Sequence, residues 1–281
     1  GVSTRAHGST YSLDRPHAPP ADYSLWHART WSDGCIICRT GARTGESKSC
    51  RTLRPLERGS MSAVRATLAV LGGTGAEGAG LAFRWHRAGY PVIIGSRDVA
   101  RAEVTAKELG NGAQGMTNVE AARCCDIAIL TVPFAAQKPT LSDVKDALAG
   151  KILVDVTVPL VPPRVARVQL PPEGSAAQAA QSVLGDDVRV VSAFQSVSAH
   201  HLRDPDYEIE CDVLICGDDS EAREQVVHLA KAAGMRGLHA GVLANAAASE
   251  ALTSVLIAIN RRYKVPSAGI RITGLAEDPA V

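Results

Sequence analysis

The sequence predicts an α/β protein built on a doubly wound, mostly parallel sheet, and three observations carry that reading. Short apolar runs recur over residues 67–71, 91–95, 126–132, 152–156 and 188–191. Helix-favouring stretches separate them, and a glycine-rich turn, Gly72-Gly73-Thr74-Gly75-Ala76-Glu77-Gly78, joins the first run to the first of those stretches. Strands that are apolar on both faces belong to a parallel sheet covered by helices on each side.

The elements follow in order. After the first strand a helix is expected over 76–88, with Leu81, Ala82 and Trp85 on one face and Gly89 as its stop. The second strand runs into Ser96-Arg97, and a helix is expected over 98–109. A short third strand is expected over 114–116, with Asn118 capping the next helix. The run over 126–132 is a buried strand stopped by Pro133. Beyond the fifth strand, Pro162, Pro163, Pro171 and Pro172 bracket an irregular insertion, expected to move as a cleft closes. Residues 213–215 and 237–239 read as strands flanking a helix over 219–233, with Gly217-Asp218-Asp219-Ser220 as turn and helix cap. The last helix, over 243–262, carries the stripe Ala247, Ala251, Leu252, Val255, Leu256 and Ile259, which fits either a dimer seam or the core.

Composition sets the outer limits. Of 281 residues, 46% are hydrophobic and 21% charged, enough apolar material for a sizeable core. The net charge of +1 gives no footprint of a general nucleic-acid binder or a polybasic membrane anchor. No uninterrupted apolar run reaches about 18 residues, so no transmembrane helix is expected. The average hides a seam: residues 1–60 are net +4 and the rest net −3. Three domains are therefore expected: a disordered or non-native extension over 1–60, a dinucleotide-binding domain over 61–200, and a small C-terminal α/β subdomain over 201–281. The extension has no apolar signal core, and Arg58-Gly59-Ser60-Met61 looks like a start preceded by extra sequence. Its Cys35-Ile36-Ile37-Cys38 lacks a partner pair at zinc spacing. Cys50 lies beyond that pair in the extension, and the other four cysteines, Cys124, Cys125, Cys211 and Cys216, read as buried free thiols of a reducing cytoplasm.

The chemistry concentrates in the first turn. Gly73-x-Gly75-x-x-Gly78 follows a strand and opens a helix, the context in which GxGxxG marks a Rossmann-type dinucleotide site. Glycines let the backbone approach a pyrophosphate, and the helix N-terminus offers N–H groups and positive dipole. An NAD site would place a carboxylate at the end of the second strand to accept from the ribose 2′-hydroxyl. Here Ser96 and Arg97 stand there, with Arg101 one helical turn on, which suits a 2′-phosphate. NADP(H) is the expected cofactor. No catalytic acid, base or metal-ligand cluster stands out. Asp155 and Thr157 read as structural, Asp218-Asp219 as a turn, His200-His201 as a surface pair or substrate contact, and Glu77 as solvent-facing.

The motifs Leu71-Gly-Gly-Thr-Gly-Ala-Glu-Gly78, Val92-Ile-Ile-Gly-Ser-Arg97, Asp126-Ile-Ala-Ile-Leu-Thr-Val-Pro133, Val190-Val-Ser-Ala-Phe-Gln-Ser-Val-Ser-Ala199, Cys211-Asp-Val-Leu-Ile-Cys-Gly-Asp-Asp219 and Ala244-Asn-Ala-Ala-Ala-Ser-Glu-Ala-Leu-Thr-Ser254 together resemble the NADPH-dependent reductases of the 5-deazaflavin coenzyme F420. The resemblance spans about Val64 to Leu275. It implies reversible hydride transfer between C4 of NADPH and C5 of the deazaflavin. It places NADP on Gly73, Thr74, Gly75, Ala76, Glu77, Gly78, Ser96, Arg97 and Arg101, with Val132 and Pro133 bordering the nicotinamide. The acceptor would lie in a cleft lined by Phe194, Gln195, Ser196, Val197 and Ser198, where Gln195 replaces the His of archaeal members. A cytoplasmic homodimer is expected. Two other readings remain: an NADP-dependent reductase of a small imine or carbonyl compound, and a non-catalytic NADP-binding regulatory module.

Overall fold

The structure, a computed structural model, describes residues 65–275. The expected extension over 1–60, with Cys35 and Cys38, lies outside the described residues.

Alternation along the strands builds two cores. In β1 (Leu68–Leu71) all four side chains are buried, Leu68 and Val70 on one face of the sheet and Ala69 and Leu71 on the other. The same division continues through β2 (Val92–Ser96), β4 (Ile127–Leu130) and β5 (Ile152–Asp155), as expected of strands covered on both sides. On the first face lie α1 (Ala76–Arg87) and α2 (Val99–Leu109), packed through Leu81, Ala82, Trp85, Ala102 and Ala106. On the second lie α3 (Asn118–Cys124), α4 (Phe134–Val144) and α5 (Ala176–Leu184), packed through Ala121, Leu141, Val144, Ala177 and Leu184.

The sheet has eight strands in the order β3-β2-β1-β4-β5-β6-β7-β8, with β3 spanning Gln114–Thr117 and β6 Arg189–Ser192. β1 to β6 run parallel. β7 (Asp212–Gly217) pairs antiparallel with β6, Ser192 facing Cys216, and β8 (Arg236–His239) runs parallel to β7. The segment from residue 201 therefore extends the same sheet as the one before it. α6 (Ser220–Ala232) covers the first face through Val226 and Ala230, and α7 (Ala246–Tyr263) closes the second. Beyond α7 the chain crosses back over the start of β7, where Ile270 O accepts from Asp212 N at 2.8 Å. Arg236 grips the Asp212 carboxylate with two hydrogen bonds of 2.8 and 2.7 Å.

Several expectations are corrected. The cap of α3 is Thr117, whose hydroxyl and Glu120 form a reciprocal capping box; Asn118 is instead an interior partner of the glycine turn. The last helix starts at Ala246 after a 3-10 turn over Leu243–Asn245. Cys124 is exposed, whereas Cys125, Cys211 and Cys216 are buried and free. Among the described residues one helical span, Leu243–Tyr263, is long and apolar enough by composition to cross a membrane, with a mean hydropathy of 1.3. No uninterrupted apolar run marks this span in the sequence, because Asn245, Ser249, Glu250, Thr253 and Ser254 break up its Ala, Leu, Ile and Val. Within the fold this helix is held by polar contacts described below.

Candidate functional site

The strand ends of β1, β2 and β4 open on one cavity of about 570 Å³. Its floor is the glycine turn. Gly72 has φ +76°, and a Cβ there would lie 2.6 Å from Val132 Cγ1. The turn is tied down by Gly72 N, which donates to Gly95 O at 3.0 Å and to Asn118 Oδ1 at 3.2 Å. Gly73 and Gly78 are packing glycines: a Cβ on Gly73 would meet Val70 O at 2.7 Å, and one on Gly78 would meet Thr131 Oγ1 at 2.4 Å. Gly75 is different, since its Cβ would meet nothing closer than 3.7 Å, and it faces the cavity beside Thr74. Two glycines let helix and strand close up, and the third leaves space for a ligand.

The far wall is the start of α2. Asp98 caps that helix by accepting from Arg101 N at 3.3 Å, and Ser96 Oγ accepts from Asp98 N at 3.1 Å. Arg97 and Arg101 are exposed and line the cavity beside them. The one carboxylate in the lining is thus occupied by its helix, and two guanidinium groups face outward, the charge pattern a phosphate monoester needs. Val132, Pro133, Ala136 and Thr140 supply the opposite, largely apolar wall.

Of the eleven residues expected at the cofactor, seven line this cavity: Thr74, Gly75, Ser96, Arg97, Arg101, Val132 and Pro133. Gly73 and Gly78 lie beneath it, and Ala76 and Glu77 begin α1 outside its lining. Glu77 departs from its solvent-facing expectation. Its Oε1 is shut off from solvent without a hydrogen-bond partner, and burial pushes the carboxyl up to about 8. Gly72, Asp98, Asn118, Thr131, Ala136 and Thr140 also line the cavity and were not anticipated. Asn118 stands where a helix cap is expected, and its side chain instead accepts from Gly72 N.

The segment after β6 is mostly interior. Phe194 has φ +73°, is buried, and sets its ring edge-on against Trp85 at 5.6 Å. A left-handed Phe is a strained choice that neighbouring contacts must hold. Gln195 supplies them, donating through Nε2 to Asp155 O and Ser192 Oγ, both at 2.8 Å, while its own carbonyl accepts from Thr253 Oγ1 at 2.8 Å. Phe194, Gln195, Ser196 and Val197 are all buried, and Ser196 and Ser198 line a second pocket of about 250 Å³. Its other walls are His201, Tyr207, Ile209, Glu210, Cys211, Ser267 and Gly269.

Behind this segment lies a buried polar network. Asp155 accepts from Gln137 Nε2 at 2.6 Å and Thr157 N at 2.9 Å, and burial raises its carboxyl to about 6. Glu250 of α7 accepts from Ala176 N at 2.6 Å and Ala177 N at 3.0 Å, so a distant carboxyl caps α5. Burial lifts it to about 8 despite those bonds, and Asp155 adds to the rise. Asp219 caps α6 through Ala222 N, and Asp218 accepts from Leu243 N. Among the described residues, no group of three or more His, Cys, Asp or Glu is placed to hold a metal ion.

Fold and cavity together define a Rossmann-type dinucleotide-binding protein. A family profile described as "NADP oxidoreductase coenzyme F420-dependent" matches residues 67–159. The F420-dependent NADP reductase of Methanothermobacter marburgensis is 43% identical over 223 residues, covering 75% of this chain and 99% of the relative. That of Methanocaldococcus jannaschii is 40% identical over 221 residues, covering 74% and 98%. A solved structure of a candidate F420-dependent NADP reductase from Arthrobacter sp. FB24 superposes with a TM-score of 0.66 at 25% identity, covering 74% of this chain and 99% of that one. The chain belongs to the F420-dependent NADP reductase family.

Proposed function

We propose that this protein transfers a hydride reversibly between NADPH and coenzyme F420, with NADP(H) in the large cavity and the deazaflavin against the segment after β6. Family membership carries the reaction, and the exposed pair Arg97 and Arg101 at the second strand end supports the phosphorylated cofactor. The residues present fit such a cofactor: the glycine turn leaves the space a Cβ would fill, and the cavity is large enough for a dinucleotide. When bound, NADPH supplies the hydride and the deazaflavin accepts it. The chain's own part is to hold two rings in register and keep water out. Gly75 would admit the cofactor backbone, Arg97 and Arg101 would grip its 2′-phosphate, and Val132 and Pro133 would wall the nicotinamide. Ser196 and Ser198 offer hydroxyls to the polar edge of the acceptor, while buried Phe194 and Gln195 fix the turn that carries them.

We further propose that the protein is a cytoplasmic homodimer. Three buried free thiols support the compartment, and the outward face of α7, with Val255 44% and Tyr263 72% exposed, supports the second copy. The first experiment follows the visible absorbance of F420 with the purified chain. Bleaching with NADPH and little with NADH is expected; cofactor binding without bleaching would return the substrate question to other acceptors.

A further inference from the structure

The second pocket has a wall that nothing in its own secondary structure explains. The His201 imidazole stacks on the Tyr207 ring with centroids 3.7 Å apart and planes 8° from parallel, and both line the pocket. His201 closes the 3-10 turn Ala199–His201, and Tyr207 lies on the connection from it to β7, a stretch without regular structure. Of the backbone carbonyls here, His201 O accepts locally from Asp204 N at 3.1 Å, while those of Leu202, Asp204 and Tyr207 join no ladder and need donors from elsewhere.

Helix α1 provides them. Arg84 donates through Nε to Leu202 O at 3.0 Å and through Nη2 to His201 O, Asp204 O and Tyr207 O at 3.2, 2.8 and 3.0 Å. Nη1 reaches Ala233 O at 3.4 Å, so the same group ties the connection to the end of α6. Two neighbours on α1 reinforce the grip. Gly80 lets Leu202 sit where a Cβ would be 2.5 Å away, and Trp85 meets Phe194 at the other end of the segment. The helix whose N-cap, Gly75, lines the cofactor cavity thus also holds the loop that walls the second pocket. A planar guanidinium with five N–H donors can serve several carbonyls at fixed angles, whereas a lysine ammonium offers three donors on a mobile stem.

We propose that Arg84 is a positioning residue for acceptor binding: by pinning the carbonyls of His201, Leu202, Asp204 and Tyr207 it fixes the stacked His201–Tyr207 wall against which a planar heteroaromatic ring docks. This rests on the reading that the deazaflavin uses the pocket opened by Ser196 and Ser198.

The test uses full-length Arg84→Met and Arg84→Lys proteins in steady-state kinetics with NADPH and F420, alongside amide hydrogen exchange over 201–207. The expected result is a KM for F420 raised at least tenfold in Arg84→Met, about 1.4 kcal/mol, and by less in Arg84→Lys. The KM for NADPH and kcat at saturating F420 stay within about twofold of the parent, and exchange over 201–207 quickens. An unchanged KM for F420 overturns the proposal, as does an equal rise in both KM values or a fall in kcat alone. Should Arg84→Met not fold, Arg84→Lys carries the same criteria. A Ser196→Val, Ser198→Ala double variant separates the two claims. If it raises the KM for F420 while the Arg84 variants do not, the pocket stands and the role of Arg84 falls. If it leaves that KM unchanged, the acceptor reading itself fails.

Discussion

Replacing Glu77 with Gln should stabilise the protein, and by an amount that grows with pH. The carboxyl sits at the start of α1 with Oε1 buried and unpartnered, and its pKa stands near 8 against an ordinary 4.5. At pH 7 the unfolded chain carries an ionised Glu77 and the folded chain a neutral one, so folding takes up a proton. A raised carboxyl pKa therefore costs nothing well below pH 4.5, costs progressively more up to pH 8, and levels off above it. At about 1.4 kcal/mol per unit, the penalty is under about 1 kcal/mol at pH 5, about 3 kcal/mol at pH 7 and approaches about 5 kcal/mol above pH 8. Gln keeps the shape and removes the ionisation. Its own buried amide adds a cost that does not vary with pH, so the diagnostic quantity is the change in the difference between variant and parent. For a domain of this size roughly 2–4 °C accompanies each kcal/mol. The Tm difference should therefore widen by about 5–10 °C between pH 5 and pH 7, read by scanning calorimetry of both proteins in matched buffers. A difference that is constant across that range, or one that narrows, would refute the reasoning.

Other expected outcomes follow from single contacts. Arg97→Asp should abolish the preference for NADP over NAD, with a loss of roughly ten- to hundredfold in kcat/KM for NADPH; unchanged selectivity in paired NADPH and NADH assays removes the argument. Gly78→Ala forces a Cβ to within 2.4 Å of Thr131 Oγ1, which should cost about 1–3 kcal/mol in denaturant unfolding, partly recovered by adding Thr131→Ala. Val255→Lys on the outward face of α7 should shift the mass measured by light scattering from dimer to monomer without lowering Tm in dilute solution.

The strands and most helices were legible in the sequence because burial on both faces leaves short apolar runs, and helix caps leave Asp or Ser at fixed places, as at Asp98 and Asp219. The cofactor turn was legible because only glycine tolerates its close approaches. Glu77 is solvent-facing by residue type but inward by position: it precedes Leu81 and Trp85 by four and eight residues, so it shares their buried face. The segment after β6 was harder. That Phe194 turns into the core while Ser196 and Ser198 open on a pocket depends on a left-handed backbone step no periodicity announces. The hold of Arg84 on residues 201–207 links positions more than a hundred apart, and a lone arginine on a helix carries no sign of it.

Helix α7 shows most clearly how pattern and placement part. Its apolar stripe suggested either a core face or a seam between copies. In the fold the helix is turned nearly inside out: Ser249, Glu250 and Ser254 are buried, while Val255 and Ile259 face outward and Leu256 alone of the large stripe residues is buried. The buried polar face has a reason. Glu250 satisfies the orphan N–H groups of α5, and Thr253 donates to the Gln195 carbonyl at the strained turn, so this face is spent on holding the neighbourhood of the site. Those bonds fix the helix rotation, because an unpaired N–H inside the protein costs more than an apolar side chain left outside. What remains outward is a row of Val255, Ile259 and Tyr263, which gains little in water and would gain by meeting its own copy. The polar face and the apolar face thus answer two different demands, and the first determines where the second points.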